Sequence, residues 1–233
     1  MRTHRSSEAG TNTPGRISAR PRDPTLGGVS GYRPLDLGAG RTALLFVPDE
    51  DSGAGPWPLA VMLHGAGGIA EHGMAQLGVQ AEEMGIVLLG PASAGGTWDV
   101  IEDTYGLDVE LIDRGLDTTF REYAIDPLRL AIGGFSDGAS YALSLGLTNG
   151  DLFTHVIAFS PGFSAPASLH GRPQIFVSHG THDAVLPINR CSRRIVPALE
   201  RAGYSVRYRE FDGPHTVPVD IAQSAARWFL GRE

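Results

Sequence analysis

Short apolar runs, separated by turns rich in glycine and proline, are the dominant pattern along this chain. Runs of this length are typical of buried strands. The predicted strands cover residues 43–47, 59–63, 86–89, 130–132, 156–159, 175–178 and 204–211. Apolar positions at helical spacing predict helices over residues 71–84, 107–120, 139–147, 189–202 and 220–229. Because strands that alternate with helices form parallel sheets, the pattern predicts an α/β fold with a mostly parallel, twisted sheet and helices on both faces.

The first 24 residues do not follow this pattern. They are rich in Arg, Ser, Thr, Gly and Pro and have almost no large apolar side chains. Such a segment buries too little surface to offset the entropy lost on ordering, so residues 1–24 are predicted to be a disordered tail. A basic targeting arm is the functional alternative. Residues 25–233 are predicted to form a single domain, and the short segments between its elements leave no room for a large cap domain.

The composition removes several kinds of chemistry. All 19 basic residues are arginine, so the chain has no amine for a P-loop, a Schiff base, pyridoxal phosphate or a Ser-Lys hydrolase. The net charge of −7 argues against nucleic acid as a partner. No apolar run approaches the roughly 18 residues of a membrane span, and no secretory signal is evident. Together with the single Cys191, which cannot form an internal disulfide, these features favour a cytoplasmic protein.

The sequence around Ser136 has the pattern of a nucleophile elbow. Residues 130–132 are a short apolar strand, residues 134–138 read GFSDG, and the predicted helix over 139–147 follows directly. In such a strand–turn–helix the central residue takes strained backbone geometry and exposes its side chain, while flanking glycines avoid collisions with neighbouring elements. Ser136 is therefore the predicted nucleophile. The alternative is a small residue in a glycine-rich turn.

A serine hydroxyl needs a base, and a histidine placed after a predicted strand can supply it. His215 follows the strand over 204–211, at the carboxyl edge of the sheet where ligands bind in open α/β folds. A surface loop histidine is the alternative. His64, His179 and His182 are rivals, but His64 is better placed to shape the glycine turn after it. The other two flank a loop suited to supplying an acid.

Asp183 follows the strand over 175–178 and is the predicted carboxylate that orients the His215 imidazole. A turn aspartate is the alternative interpretation. Asp212 and Asp137 are further candidates for the acid, although Asp137 is too near the nucleophile to reach behind the histidine.

Two other features of the sequence resemble functional sites, one a metal site and one a cysteine nucleophile, and neither is interpreted as such. His179, His182 and Asp183 have the side chains of a metal site, but a loop lacks the fixed spacing of a helical metal motif and no further ligand is evident. Cys191 is interpreted as a small helix residue and not as a nucleophile of the dienelactone-hydrolase type, because serine holds the elbow. No metal and no cofactor are predicted.

The chain order Ser136, Asp183, His215 is the order expected of α/β-hydrolases. A tetrahedral intermediate on Ser136 would need hydrogen-bond donors for its oxyanion. The backbone N–H groups of Ala66 and Asp137 are predicted to supply them, since the glycines around Ala66 in HGAGG (64–68) let the backbone approach a substrate carbonyl.

Four motifs taken together resemble the phospholipase/carboxylesterase group of α/β-hydrolases, which includes acyl-protein-thioesterase-like enzymes. Feruloyl-esterase-like and polyhydroxybutyrate-depolymerase-like relatives are also similar. The motifs are LHGAGG at 63–68, GFSDG at 134–138, HG-x-x-D-x-x-x-P at 179–187 and PH at 214–215. The resemblance covers about residues 30–230 and implies a cofactor-free serine esterase on a compact sheet. Asp137 departs from it, because the thioesterase branch usually has Gln there, which argues against lysophospholipid and protein-thioester substrates.

The predicted function is hydrolysis of short- to medium-chain acyl esters, with a small-molecule ester as partner. The alternatives are a thioesterase, lysophospholipase or acyltransferase on the same triad, and a non-catalytic binding protein of this fold. Trp98, Tyr105, Phe163 and Leu186 lie in predicted loops near the nucleophile and are predicted to bind the acyl or alcohol group. Partly exposed core residues are the alternative for these four. The sequence does not decide between a monomer and a homodimer.

Overall fold

The computed structural model describes residues 13–38, 40–49, 55–102 and 105–232. The strands in these ranges are β1 (Gly31–Gly38), β2 (Arg41–Val47), β3 (Trp57–Leu63), β4 (Val87–Pro91), β5 (Ile125–Phe135), β6 (His155–Phe159), β7 (Gln174–Gly180) and β8 (Val206–Phe211). They form one sheet in the spatial order β1-β2-β4-β3-β5-β6-β7-β8. Strands β3 to β8 run parallel, whereas β2 pairs antiparallel with both β1 and β4.

Helices cover both faces of this sheet. They are α1 (Ala70–Met74), α2 (Gly78–Met84), α3 (Leu107–Glu122), α4 (Asp137–Thr148), α5 (Ser192–Arg201) and α6 (Val219–Phe229), with a 3-10 turn at Asp99–Glu102. Alternate strand residues point to opposite faces, so the buried side chains divide into two clusters. In β3, Leu59 and Val61 pack with α3, α4 and α5, while Ala60 and Met62 pack with α1, α2 and α6.

The predicted fold class is confirmed. The sheet is mostly parallel, and each connection between β3 and β8 holds at most two helices, so the described ranges contain no large cap domain. None of the helices in those ranges is long and apolar enough to cross a membrane.

Several element boundaries differ from the sequence pattern. Strand β1 was not predicted, because it is an edge strand that contains Pro34 and buries only Leu35 and Leu37. The helix predicted over 71–84 is two helices, and the Gln76 amide between them donates to the Leu63 carbonyl. The helix predicted over 189–202 is shorter, and Pro197 lies inside it.

Residues 13–24, here called the N-terminal arm, are packed on the domain, which corrects the prediction of a disordered tail. The other half of that predicted tail, residues 1–12, lies outside the described ranges. Both terminal nitrogens of Arg16 bind the Asp151 carboxylate at 2.7 Å, and Nη1 also donates to the Thr148 carbonyl. These donors lower the pKa of Asp151, because Arg16 stabilises its ionised form. The arm has few apolar side chains, and these charged hydrogen bonds attach it to the domain.

The arm also contributes to the core. The Ile17 N–H donates to Asn149 Oδ1 at 2.8 Å, and the Asn149 amide donates back to the Gly15 carbonyl at 2.7 Å. Between these bonds the Ile17 side chain is 2% exposed and packs in the same cluster as α3 and α4. The amino-acid composition of the arm hides this anchor, because one buried isoleucine changes the average very little.

We expect Ile17→Ala to lower the free energy of unfolding by about 2–3 kcal/mol, because the substitution leaves a cavity in the core cluster. Val29→Ala is the control, since Val29 is 65% exposed and its truncation should change stability by less than about 0.5 kcal/mol. Urea unfolding followed by circular dichroism measures both. Equal stability of Ile17→Ala and wild type would mean that the arm does not pack as described.

Candidate active site

Ser136 lies on a sharp turn between β5 and α4. Its backbone has φ 59° and ψ −119°, a region that residues other than glycine rarely adopt. A Cβ on Gly138 would lie 2.4 Å from the carbonyl oxygen of Leu63 and 2.5 Å from that of His64. A Cβ on Gly134 would lie 2.6 Å from the carbonyl carbon of Gly138. The glycines on either side of Ser136 therefore let β5, α4 and the end of β3 meet in direct contact.

The side chains of Ser136, His215 and Asp183 form a hydrogen-bonded chain. The Ser136 hydroxyl lies 2.9 Å from His215 Nε2, and His215 Nδ1 lies 2.5 Å from Asp183 Oδ2. With Nδ1–H donating to the carboxylate, Nε2 is left to accept the serine proton. Phe135 packs against the imidazole, with ring centroids 4.5 Å apart. The three residues singled out by the sequence thus come together in the expected sequence of contacts, and their catalytic roles stay a prediction.

Asp183 is buried at the turn after β7, and both oxygens of its carboxylate accept hydrogen bonds. Its Oδ1 accepts hydrogen bonds from the N–H groups of Val185 at 2.9 Å and Leu186 at 2.7 Å. Burial opposes ionisation of this carboxyl, but the Leu186 N–H and the His215 imidazole outweigh it and lower the pKa of Asp183. A negative charge therefore faces His215 at neutral pH.

A second imidazole contacts the same carboxylate. His179 is fully buried, and its Nε2 lies 2.8 Å from the Leu186 carbonyl and 3.2 Å from Asp183 Oδ2. The Ser192 hydroxyl lies 2.7 Å from the other ring nitrogen, Nδ1. Burial lowers the pKa of His179, so the ring is neutral and braces the turn that holds Asp183. This role was not predicted. The signal for it in the sequence is that His179 lies four residues before the predicted acid.

The other candidates for base and metal ligand lie elsewhere. His182 is exposed and pairs with the exposed Asp212 at 2.9 Å, so it does not join His179 and Asp183. Across the ranges that the structure describes, no group of three or more His, Cys, Asp and Glu side chains is placed to hold a metal ion.

His64 and Trp98 brace the glycine-rich turn after β3, and both are fully buried. The Ser93 N–H donates to His64 Nε2 at 3.0 Å, which leaves Nδ1–H to donate to the Gly65 carbonyl at 2.8 Å. The Trp98 indole N–H donates to the His64 carbonyl at 2.8 Å. Burial lowers the pKa of His64, so this ring is neutral. His64 shapes the turn and makes no contact of the kind that His215 makes with the serine.

The two predicted oxyanion donors come from different segments. Ala66 belongs to the turn after β3, and Asp137 directly follows Ser136. A Cβ on Gly65 would lie 3.5 Å from Ser136 Cβ, so the turn that carries Ala66 passes beside the serine. Asp137 is the first residue of α4, and its N–H has no acceptor within the helix. Neither the Ala66 N–H nor the Asp137 N–H forms a hydrogen bond with another described residue. The Asp137 carboxylate accepts a hydrogen bond from the Thr97 hydroxyl at 2.7 Å. The carboxylate that pairs with His215 is that of Asp183.

One of the four predicted wall residues, Trp98, lies in the core. Trp98 has 0% exposure and stacks on Tyr141 with ring centroids 5.3 Å apart, so it is a core residue and not part of the wall. Its place in the core follows from the hydrogen bond that it donates beneath the glycine turn. The Tyr105 hydroxyl donates to the Ala165 carbonyl at 2.5 Å. Burial raises the pKa of Tyr105 to about 12, which removes it as a base at neutral pH.

Phe163 and Leu186 are half-buried beside the nucleophile's helix. Ser140, one turn after Ser136, donates to the Ser136 carbonyl at 3.1 Å and accepts the Gly162 N–H at 2.9 Å. A Cβ on Gly162 would lie 3.4 Å from Leu186 Cδ2, so the loops after β6 and β7 touch here. The bridging hydroxyl of Ser140 was missed by the sequence analysis, because a serine inside a helix carries no distinguishing pattern.

The sequence profile of the phospholipase/carboxylesterase family matches residues 99–228, which is more than half of the chain. Together with the hydrolase-type sheet and the elbow, this match shows that the chain belongs to the phospholipase/carboxylesterase family of α/β-hydrolases. A comparison with curated proteins gives no match.

Solved structures support the fold at low sequence identity. Esterase PE8 is 24% identical with a TM-score of 0.64, covering 78% of this chain and 95% of its own. The S-formylglutathione hydrolase FrmB from Staphylococcus aureus is 16% identical with a TM-score of 0.70, covering 91% and 100%. The carboxylesterase of Bacillus cereus is 18% identical with a TM-score of 0.60, covering 84% and 96%. These likenesses establish the shared α/β-hydrolase architecture.

We expect Gly138→Ala to destabilise the protein by about 3 kcal/mol or more, because the added methyl group would overlap two backbone carbonyls that cannot move independently. Gly95→Ala is the matched control on the same rim of the sheet, since the nearest atom to its added Cβ is 3.6 Å away. Urea unfolding of both variants tests the difference. Similar losses in the two variants would contradict the tight packing of the elbow.

Proposed function

We propose that this protein is a serine carboxylesterase that hydrolyses short- to medium-chain acyl esters through an acyl-enzyme intermediate. The observation that carries the proposal is the chain of hydrogen bonds from the Ser136 hydroxyl through His215 to Asp183, at 2.9 and 2.5 Å. The 2.9 Å between the hydroxyl and the imidazole lies within the range that a nucleophile and its general base require. Membership of the phospholipase/carboxylesterase family supports the same class of reaction.

In the proposed acylation step, Ser136 Oγ attacks the ester carbonyl while His215 Nε2 takes its proton. The imidazolium that forms is stabilised by the ionised Asp183, which keeps its negative charge throughout. Collapse of the tetrahedral intermediate breaks the bond to the alcohol, and His215 returns the proton to the leaving oxygen.

The negative charge on the tetrahedral intermediate needs fixed donors. The N–H groups of Ala66 and Asp137 are the proposed pair, because neither is used by another described residue and both flank the serine. Donors of this kind are already oriented before the reaction, so they require little reorganisation as the charge develops. The N-terminus of α4 adds to the favourable potential at this point.

Deacylation repeats the same proton path. A water molecule takes the place of the alcohol and attacks the acyl-enzyme while His215 accepts its proton. His215 then returns that proton to Ser136 Oγ as the bond to the acyl group breaks, which releases the acid and free Ser136. Since no large cap domain lies over the described sheet, the site is open, and this openness favours soluble esters over long acyl chains. Thioester hydrolysis and acyl transfer on the same triad are the alternatives.

We expect Ser136→Ala to lower kcat for p-nitrophenyl butyrate by at least about 10³-fold, since the nucleophile of a triad carries most of its rate enhancement. A fluorophosphonate probe should label wild type and not Ser136→Ala. Ser205→Ala, on the exposed segment before β8, should behave as wild type in both assays. A loss below about tenfold would refute the mechanism, and labelling of neither protein would favour a binding protein.

The same assay tests the preferred substrate. Wild type should hydrolyse the butyrate ester faster than the p-nitrophenyl laurate ester, because the open site offers no long enclosed channel for the acyl chain. A thioester of butyrate measured beside the oxyester separates thioesterase from esterase activity. Faster turnover of the laurate ester would contradict the proposed chain-length range.

We expect Asp183→Asn to lower kcat by about 10³–10⁴-fold, because the amide cannot hold the imidazole in the tautomer that accepts the serine proton. Asp212→Asn is the matched control, since Asp212 is exposed and contacts His182 outside the site. Steady-state kinetics on p-nitrophenyl butyrate measures both variants. A larger loss in Asp212→Asn would exchange the roles of the two carboxylates.

A further inference from the structure

A groove of about 440 Å³ runs between the loop that follows β6 and one face of α5. It is called the α5 groove below. Most of its lining is apolar and includes Leu147, Phe163, Leu169, Ile195, Leu199 and Tyr204. Its volume falls within the range of small-molecule sites, about 300–1,000 Å³, and an apolar lining with a few polar groups is typical of them.

Two guanidinium groups also line this groove. Arg190 lies in the turn before α5 and Arg194 in the first turn of that helix, and both are exposed. Neither forms an ion pair with any described acidic residue, whereas Arg193 between them is bound to the Glu210 carboxylate at 2.6 Å. The Ser164 hydroxyl, another group in the lining, has no hydrogen-bond partner within the described ranges. Positive charge and an unbonded hydroxyl therefore lie beside an apolar surface, with no partner among the residues that the structure describes.

One part of the groove lining is the loop after β6, which is hydrogen-bonded to the nucleophile's helix. Gly162 and Phe163 belong to its lining, and the Gly162 N–H donates to the Ser140 hydroxyl. That hydroxyl donates in turn to the carbonyl of Ser136. The loop that carries Gly162 and Phe163 therefore contacts the nucleophile's helix and also lines the groove.

We propose that the α5 groove binds an arm of the substrate that carries a carboxylate on an apolar chain or ring, with Arg190 and Arg194 holding the carboxylate. This inference rests on the proposed esterase function. Arginine presents a planar fork of N–H donors that matches a carboxylate, and the apolar lining takes the chain or ring that joins it to the ester. The whole chain has a net charge of −7, so any preference for an anionic substrate has to arise from local arginines.

Either side of an ester can supply such an arm, and two matched pairs of substrates separate them. For the acyl side, p-nitrophenyl hydrogen suberate is compared with its neutral methyl ester. For the alcohol side, the butyrate ester of 4-hydroxyphenylacetate is compared with that of its methyl ester. We expect kcat/KM to be at least about fivefold higher for the anionic member of one pair, and added salt should reduce this ratio.

Three variants locate the preference. Arg190→Gln and Arg194→Gln should each lower the ratio of anionic to neutral kcat/KM by about three- to fivefold, because each removes a charged hydrogen-bond donor. Arg201→Gln removes the same charge from an exposed position on α5 outside the groove lining, and it should leave the ratio within twofold of wild type. Thermal unfolding of all three variants establishes that they fold as wild type does.

The possible failures are distinguishable. If neither anionic ester is preferred, or if Arg201→Gln lowers the ratio as much as the groove variants do, the groove proposal is overturned while neutral esters are still hydrolysed. If none of the four esters is hydrolysed, the esterase function fails and the groove proposal fails with it.

Discussion

The contact between the end of β3 and the first turn of α4 is the constraint on which the site depends. At this contact, glycine positions 134 and 138 allow backbone to meet backbone, and any side chain there would overlap a carbonyl group. The packing holds Ser136 in a conformation that costs on the order of 1–3 kcal/mol on its own. The serine hydroxyl is thereby held in front of the sheet edge, with the helix N-terminus behind it and the glycine turn of β3 beside it.

Each neighbouring loop is fixed by a buried polar group that is neutral or fully hydrogen-bonded. His64 and Trp98 hold the turn after β3, Ser140 joins the loop after β6 to the elbow, and His179 braces the turn that carries Asp183. Unsatisfied groups at such depth would be costly, so the bonds that support the site also specify one arrangement of the loops. The geometry between Ser136 and His215 therefore depends on residues that never contact a substrate.

The sequence predicted the parallel sheet, its helices on both faces and the three residues of the hydrogen-bonded chain. These features have strong local signals: apolar runs of strand length, glycines at a turn, and polar residues directly after strands. The failures have a common physical cause, which is that burial is decided by distant parts of the chain. Trp98 lies in a segment that looks like a loop, yet its indole N–H has a partner in the core.

The N-terminal arm is a second case in which the local sequence did not reveal burial. Its composition is that of a disordered segment, and its stability comes from partners such as Asp151 and Asn149 that no local pattern connects with it. Strand β1 was missed for a related reason, because an edge strand needs few apolar residues when the neighbouring strand β2 supplies the pairing. Only the tertiary contacts distinguish these segments from true loops.

The position of the arm also has a consequence for the order in which the chain folds. Its bonds to the rest of the domain join residues separated by 94 to 135 positions, so the partners are synthesised long after the arm itself. Contacts of such long range carry a high loop-closure entropy and form once shorter-range structure exists. The first described residues of the protein are therefore among the last to dock, and they close over the far end of the helix that starts beside Ser136.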